Sequence, residues 1–373
     1  MNPLVQFPRV HLEFGARAVL PEELLHLRIA RPLFVTDRGL VECGVFGRVR
    51  ETLPAAAPFA LFDRIPENPT VAGVEAAFAV YRGHDCDGVI AVGGGSVIDS
   101  AKAVALLAGH PERLQHYLGR PERITAQIAP LIAIPTTAGT GSEASRGAGI
   151  HPDAESRGSS LGSPFLVPRS AICDPELTLS LPPHLTAGTG MDALSHCVEA
   201  LLGKTENPPS DAIALDGAAR VACWIERAVA DGGNREARKE MMMAALEGGM
   251  ALSCKGAGPA HAIANAFGDR GLHHGAMVTI ALPAVLRLLE RHMPEKMRRL
   301  STAMEGPPGR SAADKIEALN ARVGLPKTLR ALGYRGGDLD DLADDAAKSP
   351  FNLRATYRPT VTEYRAVMRE VLG

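Results

Sequence analysis

Asp192 and His196, in Gly190-Met191-Asp192-Ala193-Leu194-Ser195-His196, stand at i and i+4. On a helix that spacing puts a carboxylate and an imidazole on one face, within reach of a single ion. Taken alone, such a pair is more often a surface ion pair or hydrogen bond. His261 lies in the apolar stretch Gly258-Pro259-Ala260-His261-Ala262-Ile263-Ala264, and Leu272-His273-His274-Gly275 precedes another helical run. A lone buried histidine usually just satisfies a backbone carbonyl. One carboxylate and three imidazoles in uncharged surroundings instead offer a divalent ion four ligands without a thiolate. Fe(II) and Zn(II) both suit that set.

A second group of residues points to a nucleotide. Gly93-Gly94-Gly95-Ser96 follows an apolar run and opens a helical one. Glycines let the backbone approach a ligand, and a helix start offers unpaired N–H groups and a partial positive charge. The pattern is not G-x-G-x-x-G, because Ile98 stands at the third glycine position. By itself it serves equally well as a tight turn with no ligand. Asp99 falls in the first helical turn, where it supports the dipole or bonds a sugar or nicotinamide group. Pro135-Thr136-Thr137-Ala138-Gly139-Thr140-Gly141-Ser142-Glu143 is another polar loop after an apolar run, and Asp37 ends a third. Ligands of open α/β sheets bind at the carboxyl ends of strands. An acidic Asp37 there accepts hydrogen bonds from a ribose and repels a 2′-phosphate, which favours NAD over NADP.

These groups need elements to hold them. Leu33 to Thr36, Gly88 to Val92 and Pro130 to Ile134 are continuous apolar runs, as expected of parallel strands buried on both faces. Helical spacing fills Val71 to Arg82 and Val97 to Leu107, giving a β-α-β rhythm and an open α/β sheet. Beyond Leu181-Pro182-Pro183 the β-branched runs thin out. Met191–Leu202, Ser210–Ala230, Arg235–Leu252 and Met277–His292 read as helices. Gly306-Pro307-Pro308-Gly309 and Asp338–Asp345 read as connections or solvated helix starts. The expected domains are an α/β domain over residues 1–180 and an all-helical domain over residues 181–373.

With 40 Lys+Arg against 42 Asp+Glu, the chain has no basic excess to displace counterions from nucleic acid or an acidic membrane. Its 46% hydrophobic content is that of a packed core, which excludes a disordered chain. The six cysteines form no C-x-x-C pair, so neither a disulfide framework nor a thiolate zinc site is expected, and a reducing cytoplasm is. Arg9 and Glu13 precede any long apolar run, which argues against a signal peptide, and no stretch is apolar for the length of a membrane helix.

Four segments together resemble the iron-containing (group III) alcohol dehydrogenases. They are Gly93-Gly94-Gly95-Ser96-x-x-Asp99-x-x-Lys102, Pro135 to Glu143, Asp174-Pro175-Glu176-Leu177-Thr178 and Gly190 to His196, with His261 and His274-Gly275 following in order. The resemblance runs from Phe14-Gly15 through Asn68-Pro69-Thr70 to the C-terminal helices. It implies a Rossmann-like sheet domain, an all-α metal domain, a dehydroquinate synthase-like architecture and a site in the cleft between the domains. It implies a metal on Asp192, His196, His261 and His274, with Fe(II) ahead of Zn(II). NAD, with NADP as the alternative, would contact Asp37, Asn68, Gly94, Gly95, Ser96, Asp99, Thr136, Thr137, Thr140, Ser145 and Thr178. A homodimer acting on a small-molecule alcohol or aldehyde is the implied assembly. Two positions depart from the family pattern. Asn265 stands where the family commonly has a histidine lining the substrate site, leaving His273 as the substitute proton carrier. Gly158, beside Arg157, stands where the family usually has a lysine near the ribose.

The expected reaction is reversible hydride transfer between NAD(H) and a primary alcohol or ω-hydroxy acid, with His273, His274 and Lys255 at the reacting end. The metal would act as a Lewis acid. Lys255, six residues before His261, would neutralise the distal carboxylate of 4-hydroxybutyrate or 5-hydroxyvalerate, although a solvated helix-end lysine is the commoner role. Maleylacetate reductase is the alternative within the pattern. A dehydroquinate-synthase-type lyase is the alternative of another class, but it needs phosphate-binding basic residues, and the neighbourhoods of Asp192 and His261 are mostly Ala, Gly and Leu. A non-catalytic nucleotide-binding protein would have to retain four polar ligand candidates without use.

Overall fold

A computed structural model describes residues 7–153, 159–272, 274–306 and 309–373. The chain falls into two compact units. One holds the chain up to Thr137 together with Ser142–Leu179, and the other holds Ala138–Gly141 together with Ser180–Gly373.

The first unit is built on strands β1 (Arg9–Leu12), β2 (Pro32–Val35), β3 (Ala60–Phe62), β4 (Gly88–Gly93), β5 (Leu131–Pro135), β6 (Gly147–Ile150), β7 (Ser159–Gly162) and β8 (Ser170–Cys173). Six of them form one parallel sheet in the order β1-β8-β5-β4-β2-β3, and β6 pairs with β7 as an antiparallel hairpin. Every residue of β2, β4, β5 and β8 is buried. Alternate side chains sort to opposite faces. Leu33, Val35, Val89 and Ala91 join the core under helices Val71–Gly83 and Gly95–Gly109. Phe34, Ile90, Val92, Ile132 and Ile134 join a second core with Leu20, Phe46 and Val49. Each such side chain contributes about 1.5–3 kcal/mol by leaving water, so a sheet covered on both faces follows from the continuous apolar runs. Register then sets the chemistry. Val89↔Leu131 through Gly93↔Pro135 are paired, so β4 and β5 end side by side, and Gly94-Gly95 and Thr136-Thr137 leave the same edge.

Helices Pro183–Leu202, Pro208–Ala230 and Arg235–Lys255 pack against one another in the second unit, followed by Pro259–Ala266 and His274–Glu290. The first begins at Pro183 rather than at the expected Met191, because a proline is tolerated at the first helical turn and small residues follow it. Gly190 is needed there, since a Cβ would run into Ile225. The acidic stretch Asp338–Asp345, expected to be a connection or a helix start, is a helix start: Asp338 is the N-cap of Leu339–Lys348, whose Leu342, Ala343 and Ala346 are buried. Of the Gly306–Gly309 turn, Pro307 and Pro308 lie outside the described residues. No described helix is long and apolar enough to cross a membrane.

Candidate active site

Helix Pro183–Leu202 is buried along nearly its whole length, yet it carries Asp192, His196 and Glu199 at i, i+4 and i+7. All three are on one face and less than a tenth exposed. His261 comes from the short helix Pro259–Ala266. His196 Nε2 lies 3.8 Å and His261 Nε2 3.9 Å from the same Asp192 Oδ1. One ligand atom from each of these residues falls within 4.8 Å of the others. Ligands at 2.0–2.2 Å around a tetrahedral ion stand about 3.4 Å apart, so the cluster is close to the size one cation requires. His274 opens helix His274–Glu290, and its ring centroid is 5.5 Å from that of His261. Asp192, His196 and His261 therefore form one cluster, while His274 is exposed at its helix start with its ring beside that of His261 and is not one of the three.

Glu199 was not singled out from the sequence. Its Oε2 accepts from His261 Nδ1 at 2.5 Å and from Gly258 N at 2.9 Å, and its Oε1 accepts from Ala260 N at 2.6 Å. A carboxylate on Nδ1 fixes the proton there and leaves the Nε2 lone pair facing Asp192 and His196. That Nε2 is buried and has no hydrogen-bond partner. An orphaned buried acceptor is costly, and a cation among Asp192, His196 and His261 would satisfy it. The signal in the sequence was the third polar position on the same helical face.

Electrostatics agree with a cation site. Burial pushes the Asp192 carboxyl up, but the imidazoles of His196, His274 and His261 outweigh it and hold the group below the usual carboxylate range. Burial pushes His196 down. The same burial acts on His261, where the charge and hydrogen bond of Glu199 overcome it and raise the imidazole.

Several residues expected to touch the nucleotide stand at the carboxyl edge of the sheet. Gly94 precedes helix Gly95–Gly109 with no side-chain cap on that helix start, and a Cβ on it would sit 3.3 Å from Thr137 Cγ2 and Oγ1. Asp37 follows β2 and accepts from Leu40 N at 2.9 Å. The Ser96 hydroxyl donates to Glu67 O, next in sequence to the exposed Asn68. Thr136 is buried where it leaves β5. Asp99 accepts from the Ser142 hydroxyl and from Gly149 N, the latter at 2.8 Å. The fully buried Lys102 ties the loop down, donating to Ser142 Oγ at 3.0 Å, Ser145 Oγ at 3.1 Å, Ser145 O at 2.9 Å and Gly147 O at 2.6 Å. Burial lowers its ammonium to about 8. Thr178 is fully buried and donates to Pro175 O at 2.7 Å. Thr140 belongs to the helical unit.

One expectation is corrected. Lys255 is fully buried, and its ammonium is bound to Asp211 and to Leu201 O at 3.3 Å. A lysine whose charge is already neutralised inside the protein does not serve a substrate carboxylate. Asn265 is half-buried on helix Pro259–Ala266. His273, Arg157 and Gly158 lie outside the described residues.

Residues 8–175 match the model of the iron-containing alcohol dehydrogenases, and residues 186–370 match that of the C-terminal region of the Fe-containing alcohol dehydrogenase family. The chain is 43% identical to a 4-hydroxybutyrate dehydrogenase of Cupriavidus necator over 97% of each chain. A crystal structure of 1,3-propanediol oxidoreductase aligns with a TM-score of 0.93 at 33% identity, covering 99% of this chain and 100% of the other. A sulfoacetaldehyde reductase of Bifidobacterium kashiwanohense, solved with NAD+, aligns with a TM-score of 0.89 at 26% identity, covering 100% and 98%. With both segments matched and such identity over the full length, the chain belongs to the iron-containing alcohol dehydrogenase family and is an oxidoreductase acting on alcohols.

Proposed function

We propose that the chain catalyses reversible hydride transfer between NAD(H) and a primary alcohol bearing a distal carboxylate, 4-hydroxybutyrate being the first candidate. The observation that carries this reading is the unpartnered, buried Nε2 of His261 facing Asp192 and His196. The 4-hydroxybutyrate dehydrogenase relative supports the substrate class, and the NAD+ complex of the sulfoacetaldehyde reductase supports the cofactor.

Asp192, His196, His261 and His274 would hold one divalent cation. When bound, that cation supplies Lewis acidity toward the alcohol oxygen and NAD supplies the hydride acceptor. The protein's own groups do the rest. Glu199 keeps the proton of His261 on Nδ1. Ser195 Oγ donates to Asp192 O at 2.6 Å and lies 3.3 Å from Oδ1, steadying the carboxylate. At the sheet edge, Gly94 leaves room for a pyrophosphate against the helix start, and the Asp37 carboxylate suits the 2′,3′-diol of NAD better than a 2′-phosphate. His273, next in sequence to the metal ligand His274, is the candidate proton carrier. The donor set of one carboxylate and three imidazoles, without thiolate, suits Fe(II), with Zn(II) second. Six cysteines without a disulfide suit a reducing cytoplasm.

Asp192→Ala tests the centre. We expect metal content, measured by atomic spectroscopy after reconstitution with Fe(II) or Zn(II), to fall to trace. NADH formation from 4-hydroxybutyrate should drop at least about 100-fold. A variant that keeps one metal per chain and full turnover overturns the assignment.

A further inference from the structure

Phe351 and Arg354 are i and i+3 on the short 3-10 helix Pro350–Arg354, a spacing at which side chains eclipse on one face. The Phe351 ring centroid is 5.9 Å from that of His261. The stem of Arg354 lies against Gly256, where a Cβ would collide with its Cδ. Gly256 has φ +82 and opens the turn that leads into the helix carrying His261. The backbone is thus shaped to admit an arginine on the face that Phe351 presents to the candidate metal centre.

The guanidinium itself is half-buried and has no hydrogen bond or ion pair among the described residues. Its surroundings give it desolvation and no counter-charge, so its hold on its proton is weakened. Other partly buried arginines are matched. Arg17 meets Asp174 and Glu176, Arg220 meets Asp216 and Glu240, and Arg238 is held by Gly232 O, Leu181 O and Thr186. Lys255, at the same turn, is matched to Asp211. A desolvated cation left unpaired costs free energy that an anionic ligand would recover. A guanidinium is also the group best shaped to take a carboxylate through two parallel hydrogen bonds.

We propose that Arg354 is the substrate-binding residue for the distal carboxylate of an ω-hydroxy acid whose hydroxyl end meets the Asp192/His196/His261 centre. The inference rests on the dehydrogenase reading above and assigns its substrate selectivity to one side chain. Neutral alcohols lack the charge Arg354 recognises, so selectivity is read as the ratio of kcat/KM for 4-hydroxybutyrate to that for 1,4-butanediol.

The metal-loaded enzyme, Arg354→Gln and Arg354→Lys are assayed with both substrates and NAD. We expect the ratio to fall about 10–100-fold in Arg354→Gln, the size of a lost charge-assisted hydrogen bond. The loss should lie mainly in KM for the carboxylate, with part of it restored in Arg354→Lys. A proportional loss on both substrates would make Arg354 merely structural, and an unchanged ratio would place the carboxylate elsewhere; either overturns the proposal. A wild-type ratio near one overturns both this assignment and the ω-hydroxy acid substrate while leaving the dehydrogenase intact. A metal-loaded wild type that oxidises neither substrate overturns the dehydrogenase reading itself.

Discussion

Glu199 spends both carboxylate oxygens on the segment that presents His261, accepting from Gly258 N, Ala260 N and His261 Nδ1. A glutamine there has one acceptor oxygen, so its NH2 must oppose either Ala260 N–H or the Gly258 N–H and His261 Nδ1 donors, and the hold on the His261 tautomer is weakened. Glu199→Gln should therefore weaken metal binding about 10–100-fold, measured by chelator competition on the purified protein. The melting temperature of the metal-free protein, read alongside, separates the roles. A lowered Tm with unchanged metal affinity would leave Glu199 as an anchor for the helix start and nothing more. At this scale the sequence was informative where spacing alone decides proximity. Asp192 and His196 share a face because they are four apart, while His261 and His274 drew notice as imidazoles in apolar surroundings. Glu199 passed as an ordinary helical glutamate because its partners are backbone N–H groups about sixty residues on, which no local pattern announces. Lys255 misled for the matching reason, since its neutralising Asp211 is distant in sequence.

Between helices Pro208–Ala230 and Arg235–Lys255, three carboxylates share one arginine. Arg220 bonds Asp216 at 2.8 Å, pairs with Glu240 and stands 3.4 Å from Glu247. Burial first, then the hydrogen bond and charge of Asp216, push the Glu247 carboxyl up to about 8 against the pull of Arg220. A carboxyl raised in the folded state binds more protons there than in the unfolded chain, where it titrates near pH ~4.3. Its contribution is thus fully present below that value and lost as the pH rises through about 8. Glu247→Gln removes the dependence. In chemical denaturation the variant should gain about 1–2 kcal/mol relative to wild type between pH 5 and pH 8.5 once partial exposure is discounted. A constant difference across that range would show that Glu247 does not titrate in this window. Elements were legible where the local pattern was unbroken. β2, β4 and β5 are continuous apolar runs, and the long helices had enough residues for periodicity to speak. β1 and β8 are no shorter than β2 but are interrupted by Arg9, His11 and Ser170, and β3 has only three residues, so no local pattern marked them.

Each unit has its own buried apolar core, and the candidate metal ligands sit on helices held by apolar contacts of Met191, Leu194, Val198, Ile263, Met277 and Val278. A small zinc module folds only around its ion, because it has too little else to bury. Here burial is extensive without one, so the cation should add stability by mass action, roughly 2.7 kcal/mol at a hundredfold excess over Kd, rather than create the fold. Even charge and an apolar fraction near one half pointed to such a self-sufficient globular chain, while composition carried no information on where the cation binds. Prolonged chelation should therefore abolish NADH formation and lower Tm by a few degrees. The far-UV circular dichroism should stay that of the helical unit, and Fe(II) or Zn(II) added afterwards should restore turnover. Collapse of the helical signal on chelation would instead show that folding depends on the ion. Full turnover in protein verified as metal-free would remove the cation from the reaction altogether.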